Sequence, residues 1–226
     1  MGKNTIPKNW PTTITYLPQP SYAPHITQSQ HQVIRTRVPD LTAEVPRNLP
    51  RGPSALVKIF PIANPSHPAN GQSGLFAARN LLPGAFILPY YGSVHSSLPP
   101  HCAIHEKSDY DLWLDRDAEL AVDAEKAGNE ARFINDFRGV GDQPNSEFRE
   151  TWDPRRGERC MAVFVLPSSK KQAAGGIKKG DEILVSYGKG FWSKRKHEGL
   201  SNGVLDGPSE PYIRNVSPDS EPIGFS

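Results

Sequence analysis

The 226-residue chain reads as a mainly β domain with short helices, flanked by two segments of different composition. Three observations support that reading. Strand-like apolar runs recur between turn residues, and Pro (23) and Gly (19) are both abundant. The apolar share of 36% also limits the core to part of the chain, so the length suits one domain with tails.

Residues 1–55 hold nine of the prolines, and Pro7, Pro11, Pro18, Pro20 and Pro24 bar a long helix. Lys3, Lys8, Arg35, Arg37, Arg47 and Arg51 against Asp40 and Glu44 give this stretch a charge of +4. It reads as an extended, partly ordered basic arm, with Trp10, Tyr16 and Tyr22 available to lie on a domain surface. The folded unit is expected over 56–197. Strand patterns fall at ALVKIFPI (55–62), AFILPYYG (85–92), YDLWLD (110–115), ELAVDA (119–124), SEFRETW (146–152), RCMAVFVL (159–166) and EILVSYG (182–188). RCMAVFVL is apolar on both faces, which marks a central strand covered on both sides. Only EKAGNEARFIND (125–136) and the stretch after Gly190 suit short helices. From residue 198 five acids stand against Arg214 with no core pattern, so 198–226 is expected to be a disordered acidic tail.

A net charge of +2 gives no warrant for nucleic-acid binding beyond weak basic patches such as Lys178, Lys179, Lys194, Arg195 and Lys196. Cys102 and Cys160 cannot make a disulfide framework or a Cys-rich zinc site, and they read as reduced thiols. The N-terminus lacks an apolar signal region, no 18-residue apolar run occurs, and Ile6 stands where a myristoylation motif wants Ser or Thr. A soluble intracellular protein without a membrane partner is expected. Asp109, Asp111, Asp115, Asp117 and Asp123 invite a metal or a carboxylate-pair reading. However, Asp115-Arg116-Asp117 reads better as a solvated turn, and the seven histidines lack H-E-x-x-H pairing and are expected at the surface. A metal-dependent hydrolase therefore fails for want of a His partner, and no metal is expected.

Four segments carry a more specific signal through their order. GQSGLFAARNLLPG (71–84) is a glycine turn opening into Leu-Phe-Ala, without dinucleotide or Walker spacing. Its Gly71 and Gly74 are ordinary turn residues or places where a missing Cβ admits a ligand. YDLWLDRDAELAVDAEKAGNEARFIND (110–136) ends in Gly-Asn-x-x-Arg-Phe-Ile-Asn, whose asparagines are caps or ligand contacts. QPNSEF (143–148) is a Pro-Asn turn, and GIKKGDEILVSYGKGFW (176–192) is a basic-Gly turn into a strand ending Tyr-Gly.

Together, in this order and over nearly all of 56–197, the four resemble a SET domain. The resemblance implies a SET-domain β-clip fold with a C-terminal pseudoknot, RFIND (132–136) passing beneath EILVSYG (182–188). It implies an S-adenosyl-L-methionine-dependent protein-lysine N-methyltransferase, monomeric, acting on a histone tail, nucleosome or other exposed peptide. A nuclear location is implied ahead of a cytoplasmic one. Cofactor and lysine would meet from opposite faces, with Tyr187 in the catalytic position and Tyr90 lining the lysine channel. Ser73, Gly74, Leu75, Tyr110, Arg132, Phe133, Asn135, Asp136 and Trp192 would form the cofactor site, Phe191 or Trp192 stacking on the adenine. Phe148 and Val185 would border the channel, and neither offers the hydroxyl that restricts such channels to monomethylation.

The chain departs from the family pattern in three places. Asp136 replaces the usual His. No cysteine cluster flanks the domain, so FWSKRKH (191–197) is left to close the channel. About fifteen residues separate PYYG from KSDYDLWL, a short insert for substrate recognition. The substitution at 136 also supports a second function class, a catalytically weak SET module that binds chromatin or protein partners.

Overall fold

Short apolar runs cut by Pro, Gly and Asn can build only short strands, and the computed structural model, which describes residues 5–168 and 175–188, is assembled from such strands. In chain order they are β1 (Thr15–Tyr16), β2 (Ser21–Tyr22), β3 (Val57–Pro61), β4 (Ser73–Ala77), β5 (Phe86–Pro89), β6 (Ser93–Ser96) and β7 (Asp111–Asp115). They continue with β8 (Leu120–Asp123), β9 (Ala127–Gly128), β10 (Asn135–Asp136), β11 (Ser146–Asp153), β12 (Glu158–Val165) and β13 (Leu184–Val185). The larger sheets have the orders β2-β6-β8-β7 and β11-β12-β5, and β1-β9, β3-β4 and β10-β13 form pairs. Every run read as a strand contains one. RCMAVFVL is the middle strand of its sheet, buried at every β12 position except Cys160. Leu75, Ile87, Leu120, Ile134 and Ile183 are fully buried between the sheets, each contributing roughly 1.5–3 kcal/mol.

The arm is built into the domain. β1 pairs in parallel with β9 and β2 with β6, while Ile26, Ile34, Leu41 and Val45 are buried. Trp10 packs edge-on against Phe133 at 5.5 Å and Tyr16 at 5.1 Å. Within the arm α1 (Gln28–Arg35) departs from the sequence expectation, which placed helices only later in the chain. Its cause is local. Thr27 Oγ1 accepts from Gln30 N–H and Gln30 Oε1 accepts from Thr27 N–H, a capping box in the proline-free stretch between Pro24 and Pro39. Gln30 Nε2 also donates to Ser96 Oγ and Ala118 O, both at 3.0 Å, tying the helix to the sheet. In the segment 125–136 only Glu130–Phe133 coils, as a 3-10 turn. The stretch after Gly190 and the acidic tail lie outside the described residues.

The histidines correct a second expectation, because His95 is fully buried and His105 nearly so. Asp111 and Asp123, two of the strand aspartates, are their partners: His95 Nε2 lies 2.9 Å from Asp111 Oδ1, and His105 Nδ1 lies 2.6 Å from Asp123 Oδ2. The two imidazoles stack at 3.5 Å. Among the described residues no three His, Cys, Asp or Glu side chains converge as a metal site. His95 Nδ1 faces the Ser96 carbonyl at 3.0 Å, so both ring nitrogens face acceptors and both donate, which makes the ring a cation. Burial pulls its pKa down, but the Asp111 carboxylate and the Ser96 carbonyl outweigh burial and raise it above 6.5. Burial pushes the Asp123 carboxyl up, and hydrogen bonds from His105 and Ser108 overcome that and hold it below 3.8.

A raised histidine pKa gives stability that is full below the unfolded value and is lost as pH rises through the folded one. The melting temperature of the protein should therefore fall as pH is raised from about 6 to about 8. His95→Gln should cost about 3 kcal/mol at the acid end of that range and flatten the profile, as read by calorimetric melts across the series.

Candidate active site

Two-residue strands are weakly held by their ladders alone, and here side chains reinforce the ladder. β10 and β13 run parallel with Asn135 opposite Leu184 and Asp136 opposite Val185, which sets RFIND beside EILVSYG. Asn145, from the Pro-Asn turn, staples the same strand. Its Oδ1 accepts from Leu184 N–H at 2.8 Å, and its Nδ2 donates to Glu182 O at 2.7 Å. Ser146 Oγ adds a bond to Leu184 O at 2.9 Å. Asp136 anchors the chain just beyond β13: its Oδ2 accepts from Tyr187 N–H at 2.7 Å, and both its oxygens accept from Arg138 Nη1. Tyr187 is held at its other end as well, its hydroxyl donating to Ile134 O at 2.7 Å.

Tyr90 reaches the same region from the end of β5. Its hydroxyl donates to Tyr110 O at 2.7 Å, and its ring meets Phe148 edge-on at 5.4 Å. Tyr90, Tyr187 and Phe148 are buried, with at most 4% exposure. Burial is the main cause that pushes both tyrosine pKa values well above 10; for Tyr187 the neighbouring Tyr110, Asp136 and Tyr90 add to it. Both hydroxyls therefore stay protonated at neutral pH and serve as donors and acceptors, never as tyrosinate bases. Arg132 lies with its guanidinium 4.2 Å from the Tyr110 ring centre and donates to Ala124 O at 2.9 Å.

Ser73 and Gly74 open β4, where Leu75 is wholly buried. Asn135 Nδ2 donates to Glu182 Oε1 at 2.8 Å and to Ser73 O at 3.4 Å, joining the two sequence motifs. A Cβ at Gly74 would stand 2.5 Å from Glu182 Oε1, so the group this glycine admits is a carboxylate of the chain itself. The structure thus brings Tyr90, Tyr110, Phe148 and Tyr187 together, and Ser73, Gly74 and Asn135 together. Val185 is buried in β13 beside Asp136. Phe133 instead packs against Trp10 of the arm. Phe191 and Trp192 lie outside the described residues. Sequence reading missed Glu182 and its neighbour His67, because Glu182 is 47 positions from Asn135 and 115 from His67. A cavity of about 870 Å3 adjoins Phe148 and Ser186 and is lined by residues of β7 and β11, including Trp113 and Arg149.

Removing the Asp136 carboxylate strands a buried N–H on Tyr187. Asp136→Ala should therefore lose about 2–4 kcal/mol of stability in denaturant titrations, whereas Arg138→Ala, whose side chain is 37% exposed, should lose much less.

A search of the curated proteins found no match. Among solved structures, an active polycomb repressive complex 2 in the basal state is 26% identical over 52% of this chain and 14% of that chain, with a TM-score of 0.41. The polycomb repressive complex 2 of Chaetomium thermophilum is 22% identical over 66% of this chain and 16% of that chain, with a TM-score of 0.42. This chain therefore spans only about a seventh of the length of those it resembles. A SET-domain family model matches residues 72–188, which is 117 of 226 residues and includes β4, the β10–β13 pair, Tyr90 and Tyr187. On that match over more than half of its length, the chain belongs to the SET-domain family.

Proposed function

We propose that this SET domain is an S-adenosylmethionine-dependent protein-lysine N-methyltransferase acting on a histone tail or another exposed peptide. The observation that carries this reading is the buried cluster of Tyr90, Tyr110, Tyr187 and Phe148 beside the β10–β13 crossing. The residues fit a cationic methyl donor. Asn135 Oδ1 has no partner among the described residues, and the Glu182 carboxylate lies beside it, so this part of the site is lined by acceptors. Ser73, Gly74, Leu75, Tyr110 and Asn135 would hold the donor, with Arg132 braced under the Tyr110 ring. When bound, the donor supplies an electrophilic methyl group on its sulfonium.

The chain's own contribution is position and desolvation. The Tyr187 hydroxyl donates a hydrogen bond to Ile134 O, and its oxygen would accept from and orient the incoming amine. Tyr90 and Phe148 exclude water, which disfavours the ammonium form and promotes the neutral nucleophile. Fixing the approach in line supplies much of the rate, and weak C–H···O contacts to backbone carbonyls suit a transferring methyl. The cavity along β7 and β11 is the path proposed for the peptide. Asp136 acts in this reading through Tyr187, whose backbone it holds. The mechanism assigns no role to a metal, and a nuclear location accords with the histone substrate.

Calorimetry with S-adenosylmethionine, followed by radiolabel transfer onto core histones, tests the proposal. A chain that binds the donor yet labels no histone or peptide substrate would instead be a SET interaction module. Tyr187→Phe should lower kcat at least about a hundredfold while donor affinity stays within a few-fold, because the hydroxyl orients the reacting groups. Neither Val185 nor Phe148 carries a hydroxyl to pin a methylated amine, so dimethyl-lysine should accumulate at long incubation. Phe148→Tyr should shift the product towards monomethyl-lysine about fivefold, the worth of one hydrogen bond, as read by mass spectrometry of the peptide.

A further inference from the structure

We propose that the cleft between the N-terminal arm and the β11–β12 turn binds a small molecule carrying a chain of phosphates, gripped by Arg47 and Arg51 of the arm and by Arg155 and Arg156 of the turn. This site is separate from the aromatic cluster and stands whether or not the chain transfers methyl groups.

A cavity of about 1000 Å3 lies between arm residues 46–56 and the turn that joins β11 to β12, and residues of β5 also line it. Pro89 and Tyr91 border this cavity, whereas Tyr90 between them turns to Phe148 and to Tyr110 O. Among the described residues its charged lining consists of Arg47, Arg51, Arg79, Arg155 and Arg156 against Glu130 alone. The Glu130 carboxyl is buried and occupied, accepting from Ser54 N–H at 2.7 Å and from the Tyr16 hydroxyl. Burial also raises its pKa, which weakens it as a countercharge to the arginines.

Two of the guanidinium groups are fixed in place. Arg155 forks onto Asp153, with Nε 2.9 Å from Oδ1 and Nη2 2.7 Å from Oδ2. Its Nη1 donates to Leu49 O at 3.2 Å, which sets the group against the arm midway along the chain between Arg47 and Arg51. Arg156 donates to Glu158 Oε2 at 3.0 Å and reaches Gln19 Oε1 at 3.4 Å. Asp153 and Glu158 answer these two cations. Arg47, Arg51 and Arg79 have no ion pair among the described residues. Positive charge gathered on the walls of a concave space focuses the potential there and draws an anion in. Arginine forks match phosphate oxygens in geometry as well as in charge, and several of them in one cleft suit successive phosphates. The volume suits a nucleotide-sized molecule, and Phe86 and Leu88 offer apolar surface for whatever the phosphates carry. A duplex nucleic acid, a wide rod with its phosphates outside, is excluded by the concave shape.

Full-length protein is titrated calorimetrically at fixed ionic strength with sodium tripolyphosphate, with ATP and with adenosine. Tripolyphosphate and ATP should bind, and adenosine should not. Arg47→Ala combined with Arg51→Ala should weaken both phosphate ligands at least about tenfold. Both residues are exposed, and melts without ligand verify that the variant folds. Lys58→Ala combined with Lys107→Ala removes the same charge outside the cavity and should leave both affinities within twofold. A wild-type chain that binds neither phosphate ligand would overturn the proposal. Equal losses in the two double variants would do so as well, since the chain would then answer only to net charge. Adenosine binding as tightly as ATP would remove the phosphates from recognition. A short single-stranded RNA that binds where tripolyphosphate does not would give the cleft to a nucleic acid and also overturn the assignment.

Discussion

One carboxylate holds the short pairing of β10 with β13 in place. Asp136 accepts the Tyr187 amide across 51 positions of chain while gripping Arg138 two residues on. β10 and β13 contribute only two residues each, and closing so long a loop costs entropy that two ladder rungs do not return. The deficit is made up by side chains that bond to backbone: Asp136 at Tyr187, and Asn145 and Ser146 at Leu184. The Asn-Asp pair and the Pro-Asn turn are for this reason structural staples of one strand, the strand that ends in the catalytic candidate.

That construction explains the chemistry proposed for the site. Tyr187 is fixed by its amide and its hydroxyl, through residues 136 and 134, so its ring has little freedom left. In the proposed mechanism a rigid, protonated hydroxyl would orient a nucleophile and not act as its base, so deprotonation of a lysine would fall to desolvation. Asp136, the departure from the family pattern, thus retains an anchoring role even where an imidazole contact to the donor is missing.

The parts of this molecule that were legible in its sequence are those written in short windows. Alternating or continuous apolar runs located seven of the thirteen strands of the described residues, missing β4 and β6 among the longer ones, and RCMAVFVL declared its central place because both faces are apolar. The site motifs were legible for the same reason, each being a few adjacent residues. What escaped was decided by pairing across the chain. Two-residue strands such as β1 and β2 have no period to detect and exist only through β9 and β6. Helix α1 has only Ile34 and Val33 as apolar anchors, and its buried Gln30 finds partners 66 and 88 positions away. His95 and Asp111 look like surface residues until the fold presses them together.

The buried histidines and the aromatic site share one polar scaffold. Asp123 takes a bond from His105 and another from Ser108, whose Oγ accepts from Tyr110 N–H at 3.1 Å. Tyr110 O in turn receives the Tyr90 hydroxyl and Ala124 N–H. One run of hydrogen bonds therefore leads from the stacked imidazoles to Tyr90. Fully satisfied buried networks of this kind specify one arrangement, since any broken link leaves an unpaired group in a low dielectric. The position of Tyr90 is thus set less by packing, which a neighbouring ring could adjust, than by a chain of directional bonds that begins at the contact of His105 with Asp123. The stacked imidazoles that link the His95 and His105 pairs thus join the pH-sensitive part of the fold to the hydrogen bonds that position Tyr90.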